Sequence, residues 1–214
     1  MSQGIESNLR TVRQRIARAG GNPDDITIVA VTKGFGAEVC RQAVASGLTI
    51  LGENRVLEAL AKKPEVEGAT WHLIGHLQTN KVKVSFVQFD LIQTLDSPHL
   101  AEAIAHQDRT QKVLVEVNVA REPQRTGVAP DQAVELVGQA AALLDVRGLM
   151  AMGPSRGDPT AAFEELRRLR DQAQERLGKP LPILSMGMSG DYEVAVKAGC
   201  TMLRLGTALF GPRP

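Results

Sequence analysis

Short apolar runs alternate along the chain with longer segments of helical periodicity. The first run spans Thr27 to Lys33, reads TIVAVTK, is rich in β-branched residues and is apolar on both faces. Strands that are covered by helices on both sides have this composition. Seven further runs follow at Thr49 to Gly52, Thr70 to Gly75, Leu91 to Leu95, Val113 to Val119, Val146 to Met152, Ile183 to Met188 and Met202 to Leu205. The pattern therefore predicts eight strands.

The intervening segments place apolar residues three and four positions apart, which is the spacing of one face of an α-helix. One such stripe consists of Phe163, Leu166, Leu169, Ala173 and Leu177. A second consists of Ala133, Val134, Leu136, Val137, Ala140, Ala141 and Leu144. A third lies before the first strand, consists of Ile5, Leu9, Val12 and Ile16, and ends at Gly20-Gly21. We therefore expect helices between the strands and one extra helix at the N-terminus.

Strands that alternate with helices predict parallel pairing through right-handed crossovers. An open doubly wound sheet is the competing architecture, but it would have about six strands and a glycine-rich first turn. The turn after Lys33 reads Gly34-Phe35-Gly36 and lacks the GxGxxG spacing. We therefore predict an α/β fold, a single (β/α)8 TIM barrel with an extra N-terminal helix. At 214 residues the chain leaves little beyond the barrel, so we expect one domain over residues 1–214.

Composition narrows the classes of partner. The formal net charge is +1, charges of both signs are spread along the chain, and aromatic residues make up 3%. Nucleic acid and anionic membrane are therefore poor candidates. No apolar stretch approaches the roughly 20 residues that cross a bilayer, and no signal-peptide core is present. Cys40 and Cys200 lie far apart and form no metal-ligand pattern. We expect a soluble cytoplasmic protein without a metal site.

Lys33 is the first candidate for chemistry, because barrel active sites lie at the carboxyl ends of the strands. It ends the first run and, on two-residue alternation, shares a face with Val29 and Val31. If that face points inward, the ammonium lies at the barrel mouth beside apolar walls. Desolvation would then lower its pKa and favour a nucleophilic amine. The alternative is a surface lysine that closes a strand.

The last two runs end in segments that suit a phosphate. Ser189 is a candidate N-cap for a helix that starts near Asp191, and the amides of Gly206 and Thr207 can donate to an anion. Barrels frequently bind phosphate in the loops after strands seven and eight. The alternative is ordinary turn chemistry with a helix cap.

Other polar residues fall near strand ends. Arg204 shares the face of Gly206, and a guanidinium there is costly unless it meets a ligand or a partner such as Glu53. His72 lies inside the third run between Trp71 and Leu73, which is more typical of a hydrogen-bonded core residue than of a catalyst. The remaining polar residues at these ends are Asn54, His76, Gln78 and Asn80.

Several motifs occur together in one order along the chain. They are AVTK at 30–33, GEN at 52–54, WHLIG-x-LQ-x-NK at 71–81, GLMAM at 148–152, LSMGMSGD at 184–191 and LRLGTALFG at 203–211. In these motifs the chain resembles the pyridoxal 5'-phosphate (PLP) homeostasis proteins, which are relatives of the alanine racemase barrel domain. The resemblance runs from the first strand to the last residues.

The resemblance implies a role for each matching residue. Lys33 matches the Schiff-base lysine, and Arg204 matches the residue that faces the pyridine nitrogen. A phosphate cradle is implied at Ser189, Gly206 and Thr207, with Met188 lining it. Asn54 and His72 match positions that line the pocket. Departures from the family pattern are Gly34-Phe35-Gly36 in place of a Lys-x-x-Pro run, Arg55 in place of a tyrosine and His76 in place of a proline.

Two features favour a carrier over a catalyst. A positive charge at the pyridine nitrogen disfavours its protonation, which makes the ring a weaker electron sink. In the related racemase the second base comes from an additional β-domain and the partner subunit, and we expect no such domain after Pro214. The resemblance thus implies a non-enzymatic, monomeric protein that buffers PLP as a Lys33 aldimine or delivers it to PLP-dependent apoenzymes.

Two alternatives stay open. One is a minimal PLP-dependent racemase or lyase in which His72 or Tyr192 supplies the missing base. The other is a protein-interaction module with vestigial PLP binding.

Overall fold

A computed structural model describes residues 2–85 and 89–212. Its strands are β1 (Thr27–Val31), β2 (Ile50–Glu53), β3 (Thr70–Leu73), β4 (Leu91–Leu95), β5 (Lys112–Glu116), β6 (Asp145–Met150), β7 (Ile183–Ser185) and β8 (Met202–Leu205). Its helices are α1 (Ser2–Arg18), α2 (Ala37–Ala45), α3 (Val56–Lys62), α4 (Val82–Ser85), α5 (Pro98–Gln107), α6 (Pro130–Ala141), α7 (Thr160–Leu177), α8 (Tyr192–Lys197) and α9 (Thr207–Phe210). Short 3-10 turns occur at Lys63–Glu65 and Thr79–Lys81.

The strands form a closed barrel in chain order, from β1 through β8. All neighbouring strands are parallel, and β8 returns to β1 with Ala30 opposite Leu205. The predicted (β/α)8 barrel is therefore confirmed, and each predicted run overlaps one strand. Closure gathers the carboxyl ends of all strands at one mouth, where the candidate residues lie.

Several strands end earlier than the runs predict, and β1 matters most for the site. β1 ends at Val31, so Lys33 does not end a strand as predicted but lies in the following turn. The reason is that the Thr32 carbonyl accepts a hydrogen bond from the amide of Phe35 at 3.0 Å, which reverses the chain. The lysine nevertheless stays at the barrel mouth.

Side chains alternate between two cores. The inward-facing residues Val29, Leu91, Leu114, Met150 and Met202 form a cluster inside the barrel. The outward-facing residues pack against the helices, with Trp71 and Phe163 among the largest side chains that are fully buried. The barrel is therefore filled below its mouth, and a ligand can enter only from the top.

The N-terminal helix α1 packs on the outside of the barrel. Its stripe residues Ile5, Val12 and Ile16 are buried, as the periodicity predicts. The Asn8 side-chain amide donates to the carbonyl of Leu209 at 2.8 Å, which joins α1 to α9. The extra helix thus supports the last loop of the barrel.

The helices bury one apolar face each against the rest of the domain, as α7 illustrates. The longest, α7, has 18 residues and buries Phe163, Leu166, Leu169 and Ala173 along one face. No helix within residues 2–85 and 89–212 is both long and apolar enough to cross a membrane.

Candidate functional site

A cavity of about 380 Å³ opens at the carboxyl ends of the strands. This volume lies in the range of small-molecule sites, which is about 300–1,000 Å³. The predicted site residues that line it are Lys33, Asn54, Met188, Ser189, Arg204, Gly206 and Thr207. The barrel therefore brings together residues that are up to 174 positions apart in the sequence, from 33 to 207.

The turn after β1 presents Lys33, which is half-buried, at the cavity wall. The amide of Thr32 donates to the Gly52 carbonyl at 3.0 Å, which keeps the start of the turn tied to β2. Gly34 has a φ of 78°, a left-handed conformation that favours glycine. The ring of Phe35 packs on that of Phe210, with centroids 5.4 Å apart. This contact joins the lysine turn to the loop after β8.

The loops after β7 and β8 supply small polar groups to the same cavity. The Ser189 hydroxyl oxygen accepts from the amide of Ala208 at 3.0 Å, so it connects the two loops. Thr207 is the first residue of α9, and its amide therefore has no acceptor within the helix. A methyl group added at Gly206 would meet only Val31, at an ordinary 3.5 Å. Packing thus does not require this glycine, and its backbone, at φ −116° and ψ −80°, lies directly before α9.

The predicted cap of α8 is wrong. Ser189 does not cap this helix, which begins after Asp191. The Asp191 carboxylate instead accepts from the amide of Met188 at 2.5 Å and closes the loop before the helix. The amides of Asp191 and Tyr192, which a cap at Ser189 would bind, donate instead to the Met188 carbonyl at 3.1 and 2.9 Å. The Ser189 hydroxyl binds across to α9.

Arg204 lies at the bottom of the cavity with 4% of its surface exposed. Its guanidinium donates to the Ser185 carbonyl at 2.9 Å, to the Ser185 hydroxyl at 2.8 Å and to the Ala151 carbonyl at 2.8 Å. Burial lowers its pKa to about 10, and the opposing charge of Glu116 acts against that shift. The guanidinium therefore stays protonated at neutral pH. Glu53, the alternative partner, contacts Lys62 and Thr32 instead.

Glu116 lines the cavity and was not predicted. It is 2% exposed, and its Oε1 accepts from the Thr126 hydroxyl at 2.9 Å. Its Oε2 is buried and has no hydrogen-bond partner among residues 2–85 and 89–212, and burial raises the pKa of the carboxyl group. A buried polar atom without a partner is uncommon, and here it belongs to a cavity wall. The signal in the sequence was an acid inside the apolar run VLVEVNV, on the face of Leu114.

His72 does not line the cavity but lies beneath it, 5% exposed in the barrel interior. Its Nδ1 accepts from the side-chain amide of Gln93 at 3.0 Å. The Gln93 oxygen accepts in turn from the Ser185 hydroxyl at 2.7 Å, and Ser185 accepts from Arg204. His72 therefore occupies the core position that its neighbours Trp71 and Leu73 indicated. It supports Arg204 through two intervening side chains.

The buried imidazole makes stability depend on pH. Burial lowers the pKa of His72 from 6.5 to about 4, so the unfolded chain takes up a proton in this interval that the barrel does not. Stability is therefore unaffected by this group above pH 6.5 and falls as the pH drops toward 4. The loss amounts to roughly 3 kcal/mol.

Urea unfolding of the protein and of His72→Gln at a series of pH values checks this expectation. Glutamine does not titrate, so the stability advantage of the wild-type protein over the variant should shrink as the pH falls from 6.5 to 4. Parallel curves for the two proteins would show that His72 does not carry the effect.

Asn54 reaches the cavity from the end of β2, where the backbone packs tightly against Gly75. A methyl group added at Gly75 would collide with the Asn54 carbonyl oxygen. The Thr94 hydroxyl donates to the Gly75 carbonyl at 2.9 Å, which fixes this segment from β4. His76 is exposed, and its Nδ1 lies 3.2 Å from the Asp96 carboxylate. Gly75 therefore sets the position of Asn54.

Gly75→Ala should destabilise the protein, because the extra carbon must displace the Asn54 backbone. Overpacking of this kind costs about 2 kcal/mol. Gly138→Ala is the matched control, since Gly138 lies in α6 with nothing within 4 Å of the added carbon. There the same change should stabilise by about 0.5–1 kcal/mol through higher helix propensity. Denaturant unfolding measures the free energy of unfolding of both variants. A change in the same direction for Gly75→Ala and Gly138→Ala would contradict the packing argument.

The loop after β5 carries two charged side chains that are largely buried. Glu122 accepts from the Ser155 amide at 2.7 Å and from its hydroxyl at 2.6 Å. Arg125 donates to the Gly153 carbonyl at 2.5 Å and pairs with Glu122 at 2.7 Å. Both side chains are less than one-fifth exposed. They tie the loops after β5 and β6 together beside the cavity.

Within the described residues no group of three or more histidine, cysteine, aspartate or glutamate side chains could hold a metal ion. The polar groups of the cavity are instead a lysine, a guanidinium, a buried carboxyl, hydroxyls and backbone amides. This set suits an organic anion with a group that reacts with an amine.

Comparison with known proteins gives consistent similarities. The family model described as the N-terminal domain of alanine racemase matches residues 2–214. The pyridoxal phosphate homeostasis protein of Aquifex aeolicus (strain VF5) is 39% identical over 216 residues, covering 96% of this chain and 95% of that protein. The protein of the same name from Escherichia coli (strain K12) is 34% identical, covering 98% and 97%.

The fold is also similar to solved structures of related proteins. PipY of Synechococcus elongatus PCC7942, in the structure with PLP bound, has a TM-score of 0.85 at 34% identity, covering 97% of this chain and 100% of PipY. Alanine racemase from Corynebacterium glutamicum has a TM-score of 0.80 at 16% identity, covering 99% of this chain and 62% of the racemase. The second likeness concerns the barrel fold alone.

Proposed function

Because the chain belongs to the family of pyridoxal phosphate homeostasis proteins, within the alanine racemase N-terminal domain family, we propose that it binds PLP on Lys33 and buffers or delivers it. The relatives are named for the homeostasis of this cofactor and not for a reaction. The names of the relatives do not say which residues would bind the cofactor. The residues that line the cavity are the candidates for this role.

One observation carries the proposal. A single cavity is lined both by the amine-bearing turn after β1 and by the loops after β7 and β8. PLP has an aldehyde and a phosphate as its two distinguishing groups, and the two kinds of wall match them. β8 and β1 are hydrogen-bonded neighbours, so the two walls meet along one edge of the cavity.

The residues present fit the group. Ser189, Gly206 and Thr207 would hold the phosphate through hydroxyl and amide donors, with Met188 lining this cradle. Asn54 would contact the cofactor from β2. The unpartnered Oε2 of Glu116 is a polar atom that a ligand group would satisfy. Lys33 and Arg204 give the cavity a positive character, which suits a dianionic phosphate.

PLP supplies an aldehyde that condenses with a lysine amine. Arg204 determines how the ring would behave when bound. A guanidinium has only N–H donors and cannot accept a proton, so it would donate to the pyridine nitrogen and keep it unprotonated. An unprotonated ring is a poor electron sink, which favours holding over turnover.

The racemase or lyase alternative needs a base beside the substrate, and neither proposed base lines the cavity. His72 lies beneath it, and Tyr192 is buried in α8, where burial raises the pKa of its phenol. The experiment is solvent-deuterium exchange at the α-carbon across a panel of amino acids with the PLP-loaded protein. We expect no exchange at enzyme-like rates. Multiple-turnover exchange that depends on Lys33 would overturn the carrier function.

We further propose that the protein acts as a monomer and that its recipients are PLP-dependent apoenzymes. Transfer is measured by incubating the PLP-loaded protein with an apoenzyme and following the recovery of that enzyme's activity. Recovery should be faster than the release of PLP into buffer. Equal rates would mean that the protein only buffers the cofactor.

A further inference from the structure

A buried group of charges lies directly behind the Lys33 turn and outside the cavity. Lys62 on α3 is 6% exposed, and its ammonium donates to Glu53 at 2.7 Å and to Glu58 at 2.7 Å. It also donates to the Thr32 carbonyl at 3.0 Å. We call Lys62, Glu53 and Glu58 the turn clamp.

The turn clamp grips the backbone on both sides of Lys33. On one side, the Thr32 hydroxyl donates to Glu53 Oε1 at 2.6 Å, while the Thr32 carbonyl accepts from Lys62. On the other side, the Gly34 amide donates to Glu58 Oε1 at 2.6 Å. The same Glu58 oxygen also accepts from Lys62. Lys33 is therefore the residue between two clamped neighbours.

Lys62 and Glu58 are the charged pair of the clamp, whereas burial raises the pKa of the Glu53 carboxyl despite its bonds from Lys62 and Thr32. Burial opposes the charge on Lys62, but its bonds to Glu53 and Glu58 raise the pKa of the ammonium. Burial likewise opposes ionisation of Glu58, yet the bonds from Lys62 and the Gly34 amide hold the pKa of its carboxyl below the usual value. Hydrogen bonds to ionised groups are roughly twice as strong as neutral ones. The Gly34 amide is thus held by one of the stronger kinds of bond available to it.

The Lys33 turn needs such a restraint because of its own sequence. It reads Thr32-Lys33-Gly34-Phe35-Gly36, and glycine is the residue with the most backbone freedom. Gly34 is held at a φ of 78°, one of many conformations open to it. The bond from the Phe35 amide to Thr32 and the ring contact of Phe35 with Phe210 restrain the far side of this turn. The clamp adds the bonds to the two residues that flank Lys33.

We propose that Lys62 and Glu58 are positioning residues that fix the Lys33 turn so that its amine is preorganised for capture of PLP. The proposal rests on the PLP-binding function proposed above and deepens it. Neither residue lines the cavity. Both act through the backbone of Thr32 and Gly34, and their effect is on how often Lys33 is correctly aimed.

The test compares Glu58→Gln with Glu165→Gln. Both glutamates accept from a basic side chain, and their side chains are similarly exposed, at 26% and 20%. Glu165 lies on α7 and pairs with Arg121, away from the lysine turn. Hydrogen exchange of the Gly34 amide in the PLP-free protein is measured by NMR. The rate at which added PLP is captured is measured by stopped-flow absorbance.

For Glu58→Gln we expect Gly34 to exchange about tenfold faster and PLP to be captured about tenfold more slowly, because a charge-assisted bond becomes a neutral one. Glu165→Gln should leave both rates unchanged. Thermal unfolding of the two variants shows whether they are equally folded. A merely structural role for Glu58 would lower the melting temperature without slowing capture at a temperature where the variant is folded, and this result would overturn the proposal.

Lys62→Met should slow capture further, since it removes the shared donor of the clamp. If this variant does not fold, Glu58→Gln alone decides. Failure of the proposed function has a different signature, because the wild-type protein would then capture no PLP on Lys33. Failure of the positioning role would leave capture intact in the wild-type protein and unchanged in Glu58→Gln.

Discussion

Lys33→Ala is expected to abolish covalent attachment of PLP and leave the barrel folded. The alanine variant has no amine at the cavity wall, so no bond can form with the aldehyde, although the phosphate loops remain. Lys33 is half-buried in a turn, and the substitution should change the free energy of unfolding by about 0.5 kcal/mol or less. The measurement is the visible absorbance of protein-bound PLP after gel filtration, together with the melting temperature.

Lys112→Ala is the matched control for this prediction. Lys112 is the exposed first residue of β5, at the opposite end of the barrel. Its replacement should leave the bound-PLP spectrum of the wild-type protein intact. If Lys33→Ala retained that spectrum, or if Lys112→Ala also lost it, the assignment of the amine would be wrong.

Arg204→Leu should have the largest effect on stability. The leucine leaves the Ala151 carbonyl buried without its donor, and the Ser185 carbonyl keeps the bond from the Ala151 amide but loses the one from Arg204. Glu116 also loses its facing positive charge. A buried group without its hydrogen-bond partner costs about 1–3 kcal/mol, so the loss should reach about 3 kcal/mol. PLP binding should also weaken, since the donor for the pyridine nitrogen is gone.

Arg147→Leu provides the comparison. Arg147 lies in β6, is 43% exposed and forms a 3.6 Å pair with Asp145, so its loss should cost about 0.5 kcal/mol or less. Denaturant unfolding measures both variants without PLP, and equilibrium dialysis measures PLP retention. Equal stability of Arg204→Leu and Arg147→Leu would contradict the role of Arg204 as the anchor of the cavity floor.

The barrel could be predicted from the sequence because its signal is local and repeated. Eight short apolar runs separated by helical stripes have few parallel solutions, and closure follows from their number. Strand ends were less predictable. Thr32 and Lys33 suit a strand, but the chain turns there because Thr32 bonds to Phe35, Lys62 and Glu53. Lys62 is 30 residues away, and no local pattern reveals such a contact.

The site residues that local sequence pattern places could be predicted, and those whose position depends on distant contacts could not. Strand position placed Lys33, Arg204 and the loops after β7 and β8 at the barrel mouth, because parallel strands deliver their carboxyl ends to one mouth. It left a surface lysine and ordinary turns open as alternatives, and only the family resemblance implied a role for each residue. His72 is a polar residue near a strand end, as a pocket residue would be, but its side chain lies in the barrel interior beneath the cavity. Glu116 was missed because an acid in an apolar run is identified as a cavity residue only once Thr126 and Arg204 are seen around it.

The most direct test of covalent PLP holding is borohydride reduction of the PLP-loaded wild-type protein, followed by intact mass measurement and peptide mapping. We expect one added phosphopyridoxyl group per chain, carried by the peptide that contains Lys33. No added mass, or mass spread over exposed lysines such as Lys81, would contradict the assignment of Lys33 as the residue that holds the cofactor.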